Sequence, residues 1–211
     1  MMIGLLILAG GRSSRMGSDK PGLPFPNADD PSLIRRVAAG VAEVAGPPTI
    51  AGLHDYGTGW PVFGDEAGLS GPVAGLIPGL AANASALVLV LAADLPFPSA
   101  SLAQGLAEIA QHDQDAQAII PVREGGLEPL FGIYHRDATA DLRAMARQLD
   151  RAGRGPSLRR TVAGVRLRRV TESEWRVWDP GGISFLNCNT PHELEEAAAQ
   201  ARARLGQGGV R

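Results

Sequence analysis

The sequence predicts a three-layer α/β/α domain built around a mostly parallel sheet. Apolar runs of strand length alternate along the chain with segments of helical period. The run "ALVLVL" (Ala86–Leu91) is apolar on both faces, as a central strand buried between two helical layers must be. Near the end, Thr190-Pro191-His192-Glu193 places a capping residue, a first-turn proline and a capping-box glutamate ahead of a last helical segment.

The elements follow in order. Ile3–Leu8 reads as the first strand. Ser32–Ala45 reads as a helix: Leu33, Ile34, Val37, Val41 and Val44 recur at helical spacing, Ser32 caps it and Gly46-Pro47-Pro48 stops it. Thr49–Leu53 and Pro61–Phe63 are short strands, and Pro72–Ala82 is a helix. After the strand Ala86–Leu91 come a helix over Ser99–Gln111 and strands over Gln117–Val122 and Pro129–Tyr134. Thr139–Ala152 is helical, with Leu142, Met145, Ala146 and Leu149 on one face, and Leu194–Leu205 is the last helix. Residues 1–206 read as one domain and the glycine-rich 207–211 as a flexible tail.

Composition narrows the function classes. The 211 residues are 45% hydrophobic and carry a formal charge of −2, which disfavours a general nucleic-acid binder. The first apolar run is interrupted at Gly10–Gly11, too short for a membrane span and without the layout of a secretory signal. Cys188 is the only cysteine, so no disulfide framework exists within the chain, and the four histidines match no zinc spacing. The expectation is a cytoplasmic protein that engages neither nucleic acid nor membrane.

The segment after the first strand is unusual. "LAGGRSSRMGSDKPGLPF" (Leu8–Phe25) concentrates glycine and cationic side chains where a plain strand-to-helix turn would do. Glycine permits close backbone approach, and main-chain N–H groups beside cations make a phosphate cradle. The spacing is neither Walker A nor the G-x-G-x-x-G of redox dinucleotide folds. Lys20 is the only lysine among 20 basic residues. With Arg15 it would neutralise a polyphosphate and stabilise it as a leaving group. A solvated basic loop is the competing reading.

Here the residues meet a known family. Leu8-Ala9-Gly10-Gly11, then Arg15-Met16-Gly17, then Asp19-Lys20 resembles the signature loop of nucleotidyltransferases, and within that superfamily the chain looks most like the molybdenum cofactor guanylyltransferases. "GDEAGLSGPVAGL" (64–76), "LAADLPF" (91–97), "EPLFGIY" (128–134) and "FLNCNTPHEL" (185–194) follow in the family's order. The resemblance implies a Rossmann-like nucleotidyltransferase fold and transfer of GMP from GTP to the molybdenum cofactor with release of pyrophosphate. It also implies Mg²⁺ as cofactor and, as further partners, carrier or acceptor proteins of that cofactor. It places the nucleotide at Leu8, Ala9, Gly10, Gly11 and Lys20.

The remaining motifs carry two readings each. Asp94 follows the central strand, at the sheet edge where ligands bind, and a hard oxygen there suits Mg²⁺; a turn cap before Pro96 explains it too. The resemblance gives Asp94 the metal and, with Lys20 and Arg15, the catalytic role. Asp65 reads as a nucleotide contact or an ordinary turn residue. By the resemblance, Gly71 and Gly75 lie at the guanine, although tight helix packing also needs such glycines. Alternation turns Asn187 and Asn189 to one side and Cys188 to the other. The resemblance favours a substrate role for the two amides over plain loop chemistry.

Nine arginines against one acid between 143 and 169 make a basic patch suited to a substrate phosphate, an acidic carrier protein or solvent alone. One departure stands out. Family members often carry an asparagine after the second strand, where Ile50-Ala51-Gly52-Leu53-His54 has none. A cytidylyltransferase, a non-catalytic nucleotide binder and a redox dinucleotide protein are the rival readings.

Overall fold

Alternation along two strands sets the layering. In the computed structural model, residues 2–10, 20–155 and 157–208 are described, the side chains of 204–208 excepted. Strand β1 (Ile3–Leu8) sends Ile3, Leu5 and Ile7 to one face of the sheet and Leu6 and Leu8 to the other. Strand β4 (Leu87–Ala92) does the same, with Leu87, Leu89 and Leu91 opposed to Val88 and Val90. Helices α1 (Leu33–Ala39) and α3 (Ala100–His112) cover the first face through Ile34, Val37, Leu102 and Leu106. Helices α2 (Pro72–Ala82), α4 (Thr139–Arg151) and α5 (Leu158–Ala163) cover the second through Leu76, Ile77, Leu142, Ala146 and Val162. Gly79 lets α2 press onto β1: a Cβ there would lie 2.6 Å from a Leu6 methyl. The expected three-layer α/β/α arrangement is present.

The other strands are β2 (Ala45–Ala51), β3 (Val62–Phe63), β5 (Ala118–Arg123), β6 (Gly126–Leu127), β7 (Phe131–His135) and β8 (Leu167–Val170). Among the described residues they form one sheet in the order β3-β2-β1-β4-β7-β5-β6, with β8 also paired to β5. The β3–β2–β1–β4 block is parallel throughout, and so is β5–β8. Strand β7 runs against both β4 and β5, and β6 against β5. The parallel centre therefore brings the carboxyl ends of β1 and β4 side by side, with Leu8 opposite Ala92. Two further helices, α6 (Glu172–Trp175) and α7 (Pro191–Gly208), complete the chain, α7 packing Ala197, Ala198 and Ala201 against Phe25, Phe97 and Cys188.

The structure departs from expectation in several places. The first helix ends at Ala39, and turns carry the chain to β2, which starts at Ala45 and contains the Gly46-Pro47-Pro48 run expected to stop that helix. Those prolines cost no ladder bond: the β1 pairing is irregular between Ile3 and Leu5, and β3 reaches only Ile50 and Ala51. The short elements β6, α5, β8 and α6 lie where no helix or strand is expected. Helix α7 continues to Gly208, into the stretch expected as a tail, and 209–211 lie outside the described residues. No helix among the described residues is long and apolar enough to cross a membrane.

Candidate active site

The adjoining ends of β1 and β4 support the first cluster. The Ala93 N–H donates to the Leu8 carbonyl (3.0 Å), tying the two strand ends together just before Asp94. Lys20 opens a single 3₁₀ turn, Lys20–Gly22, and is only 8% exposed. Its ammonium lies 3.6 Å from the Asp94 carboxylate and donates to the Cys188 carbonyl. The Cys188 N–H in turn donates to the Asp94 carbonyl (3.1 Å), so three distant segments meet at one point. Burial pushes the Asp94 carboxyl above its ordinary range, and the Lys20 ammonium counteracts it.

Cys188 is fully buried, and burial pushes its thiol up to about 11, which leaves it an inert packing residue. Asn187 and Asn189 are both exposed on either side of it, as alternation requires. The expected capping box follows. Glu193 accepts from the N–H groups of Asn189 and Thr190, the latter at 2.9 Å, and Thr190 Oγ1 accepts from the Glu193 N–H at 3.2 Å. Those two backbone donors hold the Glu193 carboxyl below its usual range and fix the asparagine segment at the start of α7.

A second cluster forms on the β2 side. A Cβ on Gly75 would lie 3.3 Å from Asp65 Oδ1 and 3.1 Å from the Ala51 Cβ, and one on Gly10 would lie 4.0 Å from the same Asp65 oxygen. Gly10, Asp65 and Gly75 thus close on one another, three segments apart in sequence. Glu66 anchors this loop: its N–H donates to the Ala74 carbonyl (2.8 Å), and its carboxylate accepts from Arg143 (2.7 and 2.9 Å) and Arg147 (3.2 Å). These arginines hold the Glu66 carboxyl below its ordinary value.

Ala9 is held twice. Its N–H donates to the Ala51 carbonyl (2.8 Å), and its carbonyl accepts from the Tyr56 hydroxyl (2.9 Å). Tyr56 adopts a left-handed backbone (φ 54°), rare for an aromatic residue, and its ring also faces Gly22. No local sequence pattern marks Glu66 or Tyr56: Glu66 lies within the 64–76 motif but its partners are on α4, and nothing nearby signals a tyrosine that reaches back to the first strand.

A cleft of about 540 Å³ lies on the β7 side, reaching the first cluster at Leu95 and Asn187, which neighbour Asp94 and Cys188 in the chain. Its lining includes Gly71, Leu95, Glu128, Arg159, Arg160 and Asn187. Gly71, at φ 70°, opens α2 in a conformation that favours glycine. Gly71 therefore lines the cleft beside Asn187, whereas Gly75 closes on Asp65. Gly11 and Arg15, also expected in the site, lie outside the described residues.

The arginine-rich stretch is not one open basic face. It is divided among α4, α5, β8 and the turns between them, and among the described residues six of its nine arginine side chains have partners: Arg143 and Arg147 at Glu66, Arg159 at Glu128, Arg160 at the Arg154 carbonyl, Arg166 at the Asp115 carbonyl and Arg168 at Glu174. No group of three or more His, Cys, Asp or Glu side chains suited to a metal stands together among the described residues. A single carboxylate such as that of Asp94 would suffice for a divalent cation of the kind that fills the rest of its shell with water and ligand oxygens.

The arrangement places a cation and a carboxylate at a strand-end crevice, with the Gly10, Asp65 and Gly75 cluster on the β2 side and the cleft on the β7 side. That layout suits a reaction joining two anions. Comparisons agree. Residues 5–169 match the family model of the MobA-like NTP transferase domain. The chain is 34% identical to a probable molybdenum cofactor guanylyltransferase of Chloroflexus aggregans, over 92% of this chain and 93% of that one. It is 32% identical to another so named from Pelotomaculum thermopropionicum, over 96% and 95%. The crystal structure of molybdopterin-guanine dinucleotide biosynthesis protein A from Archaeoglobus fulgidus shares its fold, with a TM-score of 0.75 at 20% identity, over 95% of this chain and 100% of that one.

Proposed function

The chain belongs to the MobA-like NTP transferase family, and from that premise we propose that it transfers GMP from GTP to the molybdenum cofactor, releasing pyrophosphate. The observation that carries the reading is the apposition of Lys20 and Asp94 at the joined ends of β1 and β4. In this reading a phosphate oxygen of the cofactor attacks the α-phosphorus of GTP in line. The bond from that phosphorus to the bridging oxygen breaks, and the electron pair leaves on pyrophosphate. The protein does little covalent work; it aligns two anions and offsets their repulsion.

Lys20 offsets charge on the departing phosphates, assisted by the main-chain N–H of Gly10, which follows Ala9, itself held by the Tyr56 hydroxyl and the Ala51 carbonyl. Asp94 would hold a divalent cation, proposed as Mg²⁺, which when bound neutralises phosphate oxygens. Asp65 and Gly75 place the nucleoside. Asn187 and Gly71, with Arg159 and Arg160 behind them, face the acceptor in the cleft. The site draws on residues from Leu8 to Glu193, which supports reading 1–206 as one working domain.

A thermal-shift panel of GTP, CTP, ATP and UTP with Mg²⁺ tests base and site together. GTP is expected to give the largest rise in Tm, and release of pyrophosphate is expected only when molybdopterin is added. An equal rise with CTP would overturn the guanine assignment.

A further inference from the structure

We propose that Glu128 reads the paired N–H donors on the pyrimidine edge of the acceptor's pterin, inside the cleft on the β7 side of the Lys20–Asp94 centre. The inference rests on the acceptor named above and adds to it the residue that selects the heterocycle. Glu128 stands just before β7, its backbone fixed at both ends of the peptide: its N–H donates to the Pro121 carbonyl (2.9 Å) and its carbonyl accepts from Phe131 (3.1 Å). The sheet order puts β7 across β4 from β1, β2 and the niche of Asp65 and Gly75. The phosphate centre therefore lies between that niche and Glu128, as two substrates joined through phosphate require.

The carboxylate is short of partners for a group whose side chain is only 20% exposed. Arg159 and Arg123 lie at 3.5 and 3.8 Å, and neither donates a hydrogen bond to it. Arg159 donates instead to the Gly125 carbonyl (2.9 Å), and Arg123 lies over the Phe185 ring at 5.2 Å. Glu128 accepts no hydrogen bond from the described residues. Burial raises its carboxyl above the ordinary range despite both guanidinium groups, so donors brought by a ligand would relieve an incompletely compensated charge. Leu95, Leu130 and Phe185 give the same cleft apolar walls suited to a flat ring.

The 2-amino-4-oxo edge of a pterin presents an N–H and an NH₂ side by side, a fork that matches the two oxygens of a carboxylate. Guanine presents the same edge, so the test separates the two sources. Wild-type protein and Glu128→Gln are titrated by fluorescence with 6-hydroxymethylpterin and with the corresponding lumazine, whose carbonyl replaces the 2-amino group. GTP with Mg²⁺ is titrated in parallel by calorimetry. Wild type is expected to prefer the pterin by about tenfold to a hundredfold, the usual worth of such a charge-assisted pair. The variant should lose that preference and keep its GTP affinity. Absence of preference in wild type overturns the proposal, as does its survival in Glu128→Gln. A matching loss of GTP affinity also overturns it, because the edge read would then be guanine's. Should the variant fail to fold by circular dichroism, the wild-type ratio decides alone. Pterin preference without any pyrophosphate release would sink the transfer reading and still support Glu128 as the pterin contact.

Discussion

The Lys20 ammonium and the Asp94 carboxylate stand 3.6 Å apart, although one follows the glycine-rich loop and the other follows the middle strand of the sheet. Burying such a pair is a weak source of stability, since desolvation offsets most of the attraction. Its position makes chemical sense instead. Both groups lie where β1 and β4 end together, the crevice in which open parallel sheets take their ligands.

Replacing the lysine tests its chemical role. Lys20→Ala should lower the rate of pyrophosphate release by about a hundredfold to a thousandfold, the scale on which lost oxyanion stabilisers act. Its far-UV circular dichroism should match wild type, because the sheet and helix cores do not use this side chain. A rate near normal would remove Lys20 from the mechanism.

Asp94→Ala should abolish the Mg²⁺ dependence of GTP binding in calorimetry. The neighbouring segments should stay in place, since Asp94 joins Cys188 through its backbone carbonyl, which the substitution keeps. Unchanged titrations with and without Mg²⁺ would refute a metal at this carboxylate.

Gly75→Ala probes the nucleoside niche. The added methyl would stand 3.1 Å from the Ala51 Cβ and 3.3 Å from Asp65 Oδ1, so the carboxylate must move. GTP affinity should fall by about tenfold, roughly one lost hydrogen bond to a charged group, with the acceptor KM unchanged. Equal affinity in the variant would separate Asp65 from the nucleotide.

Glu66 predicts a pH dependence. In the folded protein its carboxylate is ionised against Arg143 and Arg147, which hold its pKa below the ordinary 4.5. Its contribution is therefore present above pH 4.5 and lost as pH falls through the lowered value. Glu66→Gln should cost about 1 kcal/mol in urea unfolding at pH 7, given the partial exposure of both arginines. The gap from wild type should close in strong acid. A gap that persists there would assign the loss to packing.

The sequence declares what is periodic and leaves unsaid what is paired at long range. Helix α2 and strand β1 appear with the expected bounds because their apolar spacing is unbroken. Strand β2 swallowed two prolines because β3 is too short to cover them, a fact of pairing that no local pattern carries. Strand β8 is hidden by two adjacent arginines, Arg168 and Arg169, that break the alternation, the first of them held by Glu174 of α6. At the site, Lys20, Asp94 and the two asparagines were visible as residue types in the right order. Tyr56 was not, because its role depends on a left-handed turn that carries its hydroxyl back to Ala9.

Cys188 has the least chemistry of any residue at the centre, yet its peptide group touches both charged partners: its amide is committed to Asp94 and its carbonyl to Lys20. It works as a buckle between the two halves of the charge pair, fastened from a stretch that lies past residue 169, where the match to the family model stops. Unseating the approach to α7 would strip the Lys20 ammonium of its carbonyl partner, while Asp94 stays tied to the strand ends through the Ala93–Leu8 bond. The centre is thus fastened unevenly, its carboxylate by the sheet and its cation by the far end of the chain.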